Sequence, residues 1–480
     1  MTTETSTSAD RSEQSARMPP KQGYVWFVAL CGMAVVLLVA LWTTGVLIGK
    51  IDKDTAGYFS AATSNSPWSA SRHPLYGWLA GHLGAGPSEP GSVALVQAIL
   101  HVCAALALYA GVCAAGVGAR GAFCLAAAAL LSQSGLFHLR FVIPESLAIA
   151  LLAFAFAGTL AASRSPLAYR LLLAPIGFAV GIACLLRPSF LPAVLVVPAL
   201  WWLFAIRNGQ APRAARTILL ALVVALPILL QSGIRQRAVG DFNIVSFGGF
   251  QMSAMAGFML TPETIERLPE RVNETARAIL GVREAGEADG RVARTPLNSV
   301  GERSFVSTAL GYFDIYARSY DEFLFAGIGK LQGADETWIA FDKRLLEFSI
   351  TTVLADPLRW AAWVGGATAR LAGRSVVTNA TMLAAIALLV SVSAPAWMRR
   401  APLGRSKDDL AAVTIVALAW VACTAPLIVL VTFPATRYID SAALLLPAIP
   451  AALGLAMIEG LAAGPAFDVA SVRRESADPR

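Results

Sequence analysis

Charged side chains are scarce in this chain. Asp, Glu, Lys and Arg make up 14% of its 480 residues, against 56% from the hydrophobic set. A soluble globular protein carries about 25% charge and about 45–50% apolar residues, so a water-soluble enzyme of this length is excluded. Disorder is excluded as well, because it needs low hydrophobicity and high charge. A disulfide framework is missing. Cys31, Cys103, Cys113, Cys124, Cys184 and Cys423 share no spacing and all fall in uncharged apolar stretches; they read as small packing residues and match no metal motif. No Walker loop or Gly-rich dinucleotide turn is present, which removes the common nucleotide cradles.

What is present is a series of long uncharged windows. A charge near the bilayer centre costs about 2.5–3.5 kcal/mol on insertion scales, so such windows mark candidate spans of about 20 residues. Ten stand out: 22–49, 91–119, 121–139, 146–163, 171–186, 188–206, 217–234, 375–398, 410–436 and 441–458. The uncharged gaps 55–71 and 73–88 are rich in Ser, Gly, Pro and His and read as loop, although 55–63 can form a short helix. The gap 242–262 is ambiguous between a membrane segment and a soluble one. Lys and Arg collect on the cytoplasmic side in short loops. With ten spans and an inside N-terminus, Arg120, Arg164, Arg170, Arg207, Arg213, Arg216, Arg399, Arg400, Arg405 and Lys407 all fall inside. That balance makes 355–374, which carries Arg359 and Arg370, an amphipathic helix on the outer surface rather than a span.

The expected fold is therefore an all-α polytopic membrane protein of about ten transmembrane helices. Residues 1–21 read as a disordered cytoplasmic tail. Residues 22–234 form a seven-span module with an outer loop at 50–90. Residues 235–374 form an extracytoplasmic region that ends in the interfacial helix. Residues 375–462 form a three-span module, and 463–480 a second cytoplasmic tail. The first apolar stretch has no small-residue cleavage site and reads as an anchor. Within 235–347 lie 29 of the 69 charged residues, 13 basic and 16 acidic, a soluble composition. Thr261-Pro262 is an N-cap followed by Pro at the first helical position. Trp338, Phe341, Leu345 and Phe348 repeat with a helical period. The stretch 281–299 between them reads as a charged, Gly-rich loop.

The outer loops hold the residues that lipid would not tolerate. Asp52 and Asp54 follow the first span, and Asp54 and Tyr58 are four apart, on one helical face. Asp54 reads as an N-cap, a catalytic carboxylate or both, since capping does not exclude catalysis, and Asp52 as a second metal or base carboxylate or a solvated one. Arg72, His73 and Tyr76 follow. His138, Arg140 and Glu145 sit between spans three and four, Arg187 between spans five and six, and Arg437 and Tyr438 beside span ten. Arginine makes forked contacts with phosphate oxygens. Four lone arginines on the side where arginine is disfavoured, Arg72, Arg140, Arg187 and Arg437, suit a pocket for a lipid-linked phosphate. Asp54, Asp52 and Glu145 are the candidate catalytic acids or bases. Tyr58, His73, Tyr76, His138 and Tyr438 are candidate pocket residues. No cofactor is fixed by this pattern; a divalent cation, Mg or Mn, is left open, with Asp54 and Glu145 as its ligands.

At these residues the chain resembles the GT-C superfamily of membrane glycosyltransferases, in particular the polyprenyl-phosphate-sugar-dependent branch that includes protein O-mannosyltransferases and aminoarabinose transferases. The resemblance rests on Asp54…Tyr58, the RHPLYGWL stretch from Arg72, Pro144-Glu145-Ser146, Arg187-Pro188, the FGGFQMSAMAGFML stretch and Thr436-Arg437-Tyr438. It departs in carrying Asp-Lys-Asp rather than adjacent acids, and Glu at the second acidic position. The resemblance implies a bacterial inner-membrane enzyme with both termini cytoplasmic and an extracytoplasmic active site. It implies Asp54 as base or metal-associated residue, Glu145 as the second acid, and arginines on the donor phosphate. The donor would be a polyprenyl-phosphate sugar, the acceptor a glycan, a lipid or a protein, and no nucleic acid is expected. The alternative is a transporter or flippase, which usually places ionisable groups at the midplane on broken helices in repeated halves; the charge-free windows and the absence of a visible repeat weigh against it.

Overall fold

A computed structural model describes residues 20–292, 319–377, 379–398, 403, 407–431 and 441–463. The described chain is all-α, with one isolated bridge, Lys50 to Phe141. Seven helices are long and apolar enough to cross a membrane: Gly23–Thr43, Val93–Ala114, Glu145–Ala162, Pro166–Leu186, Pro188–Arg207, Ala214–Val239 and Ala380–Met398. Three shorter apolar helices, Ala119–Leu131, Asp409–Thr424 and Ala448–Ala462, lie in the three remaining windows. Helices suit this setting because they satisfy every backbone polar group internally. On Ala214–Val239 the outward residues Leu219, Leu222, Leu226 and Leu230 are exposed, the apolar exterior of a multi-pass membrane protein.

Two windows are interrupted. The window 121–139 divides at Ser132, whose hydroxyl accepts the Gly135 N–H and caps a new helix, Gln133–Leu139. The window 410–436 divides at Ala425, where Pro426 opens a second helix, Pro426–Val431. Proline has no N–H to extend the preceding helix and clashes with its last turn.

The helices pack through small residues. In Pro166–Leu186, Gly177 and Gly181 are four apart, and a Cβ at either would lie 2.4–2.7 Å from Val223 or Pro227 of Ala214–Val239. This is the small-xxx-small contact by which membrane helices approach closely. One continuous core runs from Leu30 through Leu220 and on to Trp420 and Leu445.

The connecting loops sort to two ends. At one end Lys50 N–H donates to Arg140 O (2.6 Å), Val142 N–H donates to Lys50 O (3.0 Å), and the Thr55 hydroxyl donates to Val142 O (2.9 Å). These bonds tie the 44–92 connection to the 140–144 connection. At the other end Gly118 N–H donates to Asp409 Oδ1 (2.7 Å), Arg120 pairs with Glu459, and the Asn208 and Gln210 amides donate to Ser163. The arginine-bearing loops at Arg120, Arg164 and Arg207 therefore share an end, opposite to Asp54, Glu145 and Arg187.

A second core gathers Phe250 to Leu260, Val272, Ile279, Phe323, Phe341, Leu345, Phe348 and Trp363. The segment 242–262 belongs here: its helix, Gly248–Met259, is twelve residues long and packs against Trp338–Ala355. Thr261 caps Pro262–Glu266 as expected, its hydroxyl accepting the Thr264 N–H. The expected loop from Gly281 proves helical as far as Ala288, as part of Glu270–Ala288. The buried Arg283 explains this, since its guanidinium bonds the Gly257, Phe258 and Leu260 carbonyls and fixes that turn to the core. Phe341, Leu345 and Phe348 are fully buried on Trp338–Ala355, as their period predicts. The segment 355–374 is one helix, Pro357–Val377. Its inner face carries Trp363 and Ala367 into the second core and Leu371 against Ala425 and Ala442 of the bundle, so it joins the two.

Candidate active site

The connection after the first span is built around a short helix, Thr55–Thr63, whose N-cap position is Asp54. The Asp54 side chain makes no capping bond. Asp52 does the local work instead: its Oδ1 accepts the Asp54 N–H (2.9 Å), and its own N–H donates to Thr55 Oγ1 (2.9 Å). The Asp54 carboxylate is thereby left to Arg72, whose Nη2 donates to Oδ1 at 3.3 Å. Tyr58, one turn on, lies under the Arg72 guanidinium, 5.5 Å from ring centre to Cζ.

The gap 73–88 holds a helix rather than a loop, Leu75–His82. It packs on Thr55–Thr63 through Gly77: a Cβ there would stand 2.4 Å from the Tyr58 carbonyl oxygen and 2.6 Å from Ala62 Cβ. Tyr76 meets Tyr58 edge-on at 5.3 Å, and its hydroxyl accepts from Gln97 Nε2. Gly77→Leu is expected to separate the two helices and lower Tm by several degrees, with His73 and Arg72 displaced. A scanning-fluorimetry Tm equal to wild type would contradict this packing.

A second carboxylate–arginine pair stands beside the first. Glu145 is the first residue of Glu145–Ala162, placed by Pro144, and Arg187 leaves the end of Pro166–Leu186 in extended backbone. Arg187 Nη1 donates to Glu145 Oε1 at 2.8 Å, with side-chain exposures of 13% and 5%. A helix start favours a carboxylate through its dipole, and the arginine completes a buried ion pair.

Between these groups opens a cavity of about 520 Å³. Tyr58, Arg72, His73 and Arg187 are among its polar lining residues, and Leu185, Leu191, Ile228, Leu229, Leu427 and Ile428 among its apolar ones. The segment from Phe242 to Gln251 closes it from the second core. Asp54 and Glu145 are outside this lining, each one hydrogen bond behind an arginine that belongs to it. Arg140 lies elsewhere, its guanidinium over the Phe137 and Phe141 rings at 4.9 and 4.5 Å. His138 is fully buried against Phe137. Neither Tyr76, His138 nor Arg140 lines the cavity. Arg437 and Tyr438 lie outside the described residues.

Burial pushes the Tyr58 hydroxyl up to about 12, so it stays a neutral donor at the cavity. Burial pushes the His73 imidazole down to about 4. Its Nδ1 accepts the Leu75 N–H at 3.2 Å, which places the proton of the neutral ring on Nε2.

Sequence reasoning missed the buried polar groups around the segment 242–251. Arg235 and Asp241 form a fully buried pair (3.2 Å), which Ser246 bridges by hydrogen bonds to both. Gly240 at φ 71° turns the chain so that these two residues meet. The local signal is an acid just past the end of an apolar helix that carries an arginine in its last turns. Asp342 accepts the Phe250 N–H at 2.8 Å, at the N-terminal end of Gly248–Met259. Burial pushes its carboxyl up to about 6.

A raised folded value means that the native state holds this proton more tightly than the unfolded chain. The stability it contributes is complete below about pH 4 and lost as pH rises through about 6. Asp342→Asn, which keeps an acceptor and removes the charge, is expected to match wild type near pH 3 and exceed its Tm by a few degrees at pH 7.5. The opposite sign of that difference between the two pH values would contradict the assignment.

Among the described residues no three His, Cys, Asp or Glu side chains gather as a metal site. Asp54 and Glu145 are each engaged by an arginine, so this donor set does not suit a divalent cation and no chemistry is routed through one. No protein-family profile, curated protein or solved structure matches this chain.

Proposed function

We propose that this protein is a membrane glycosyltransferase that moves a sugar from a polyprenyl-phosphate donor to an acceptor on the extracytoplasmic face. The observation that carries the reading is the cavity itself. Two arginines, each backed by a carboxylate, line it together with apolar residues of several helices. An anionic head on an isoprenoid chain matches both kinds of lining. In this reading all ten apolar windows span the membrane, both termini are cytoplasmic, and the cavity end is the outer one, in keeping with the arginine-rich loops at the opposite end.

The reaction is a displacement. The acceptor oxygen bonds to the anomeric carbon as the bond from that carbon to the phosphate oxygen breaks. The acceptor approaches from the Asp54 side of Arg72, outside the cavity lining, and its proton passes to Asp54, acting as general base. The polyprenyl phosphate leaves with the bonding electrons, and the charge that develops is met by Arg72 and Arg187. Glu145 holds Arg187, and Tyr58 supplies a neutral hydroxyl donor between the two arginines. A glycan, a lipid and a protein all remain acceptors that suit this chemistry.

The alternative of a transporter or flippase draws on the interruptions at Ser132 and Ala425, because broken helices are common in transporters. Deletion of the protein separates the readings. The proposed enzyme predicts an envelope glycan, lipid or protein that lacks one sugar, together with accumulation of the lipid-linked donor. An unchanged envelope and unchanged lipid pool would overturn it.

A further inference from the structure

Arg72 is held on more sides than an ion pair needs. Its Cζ lies 5.5 Å from the Tyr58 ring centre and 4.7 Å from the Phe247 ring centre, while Asp54 takes one of its N–H groups. Tyr58 belongs to the first connection; Phe247 belongs to the segment that leads into the second core. Aromatic faces attract a guanidinium through its faces and use none of its in-plane donors. Guanidinium carries five such donors, and among the described residues Arg72 makes one hydrogen bond, to Asp54.

Phe247 is itself fixed from behind. It stacks on Trp338 at 6.1 Å and 28°, and meets Phe250 at 5.5 Å. Trp338 Nε1 donates to the Ser246 carbonyl at 2.5 Å. Ser246 in turn bridges Arg235 and Asp241. Both Phe247 and Arg72 line the cavity. A ring delivered by one core therefore rests on the arginine of the other, at the wall of the cavity between them.

We infer that Phe247 is a positioning residue: with Tyr58 it fixes the plane of the Arg72 guanidinium and aims its unused N–H donors at an anionic phosphate head in the cavity. The second core is then an organiser of the head-group site. It sets how strongly the site prefers a charged lipid over a neutral one, and it contributes through orientation and exclusion of water rather than through a new charge. Preorganisation of this kind raises affinity by lowering the ordering cost of binding. This inference rests on the phosphate reading of the cavity for its ligand, while the clamp itself does not.

The test compares farnesyl phosphate with farnesol as probes for the purified full-length protein in detergent. Wild type is expected to bind the phosphate more tightly. Phe247→Leu is expected to lose about tenfold of that preference, in line with the strength of a desolvated cation–aromatic contact, with farnesol affinity changed much less than phosphate affinity. Phe247→Tyr is expected to keep the preference. A merely structural role would weaken both probes together, and that result, or an undiminished preference in Phe247→Leu, would overturn the proposal.

A double-mutant cycle on Tm, using Arg72→Met and Phe247→Leu, checks the clamp without any ligand. Non-additive shifts support it and additive shifts overturn it. If wild type shows no preference for the phosphate probe, the function proposed above fails, and this cycle still decides whether Phe247 holds Arg72.

Discussion

Asp54→Asn is expected to lower sugar transfer from the lipid donor by about 10²–10⁴-fold, the usual contribution of a general base, while Tm stays near wild type. The geometry gives this expectation its sharpness. Asparagine keeps an oxygen for the Arg72 Nη2 bond now made at 3.3 Å, so the arginine stays in place. The capping role is not at stake, because the Asp54 side chain makes no cap bond and Asp52 organises the turn. What the substitution removes is the ability to take a proton, together with the negative charge opposite the partly exposed Arg72. Asp52→Asn, by contrast, keeps an acceptor for the Asp54 N–H and is expected to cost less than tenfold. Transfer rates measured side by side check both. Equal losses in the two variants would mean that the turn, and not the base, had been damaged.

The second large effect concerns Arg187 and Glu145. Removing one partner of a buried ion pair costs about 3–5 kcal/mol, because the other charge is left buried without compensation. Glu145→Ala and Arg187→Ala are each expected to show a large drop in Tm. The double substitution Glu145→Leu with Arg187→Met leaves no unpaired charge and is expected to recover most of that stability. Activity is expected to behave differently. If Arg187 meets the leaving phosphate, the stable double variant remains inactive, down about 10²–10³-fold or more, the size of effect seen when one oxyanion donor is lost. Thermal unfolding and transfer assays on the same three variants separate the roles. A double variant that regained both stability and transfer would reduce Arg187 to a structural strut.

Much of the architecture was legible in the sequence because lipid imposes a coarse filter. Every uncharged window contains an apolar helix, and the loops at Arg120, Arg164 and Arg207 share one end among the described residues. The interruptions at Ser132 and at Ala425-Pro426 were not legible, because a hydroxyl cap and a proline leave the hydropathy of a window unchanged. The helix at Leu75–His82 was hidden for the converse reason: its Gly77 and His82 resemble loop composition, and only contact with Thr55–Thr63 explains the glycine.

Of the residues in or behind the cavity lining, Asp54, Tyr58, Arg72, His73, Glu145 and Arg187 are conspicuous in the sequence as polar groups at the ends of apolar helices. Their pairing was not found, since Arg72 with Asp54 and Arg187 with Glu145 are separated by 18 and 42 residues. Arg140 has the same sequence setting as Arg72, yet two phenylalanine rings take its guanidinium. Phe247, Asp241 and Asp342 lay beyond reach because aromatic and acidic residues are unremarkable in a soluble stretch.

The central claim is that the cavity transfers a sugar rather than moves one. The direct measurement reconstitutes the purified protein in sealed vesicles with radiolabelled polyprenyl-phosphate sugar extracted from the cells that express it, together with their envelope acceptors, and follows the label. The account predicts that label leaves the lipid and appears on an acceptor, that free polyprenyl phosphate is released in equal amount, and that Asp54→Asn abolishes both. Label that stays on the lipid while crossing to the opposite leaflet, at the same rate in wild type and in Asp54→Asn, would contradict it.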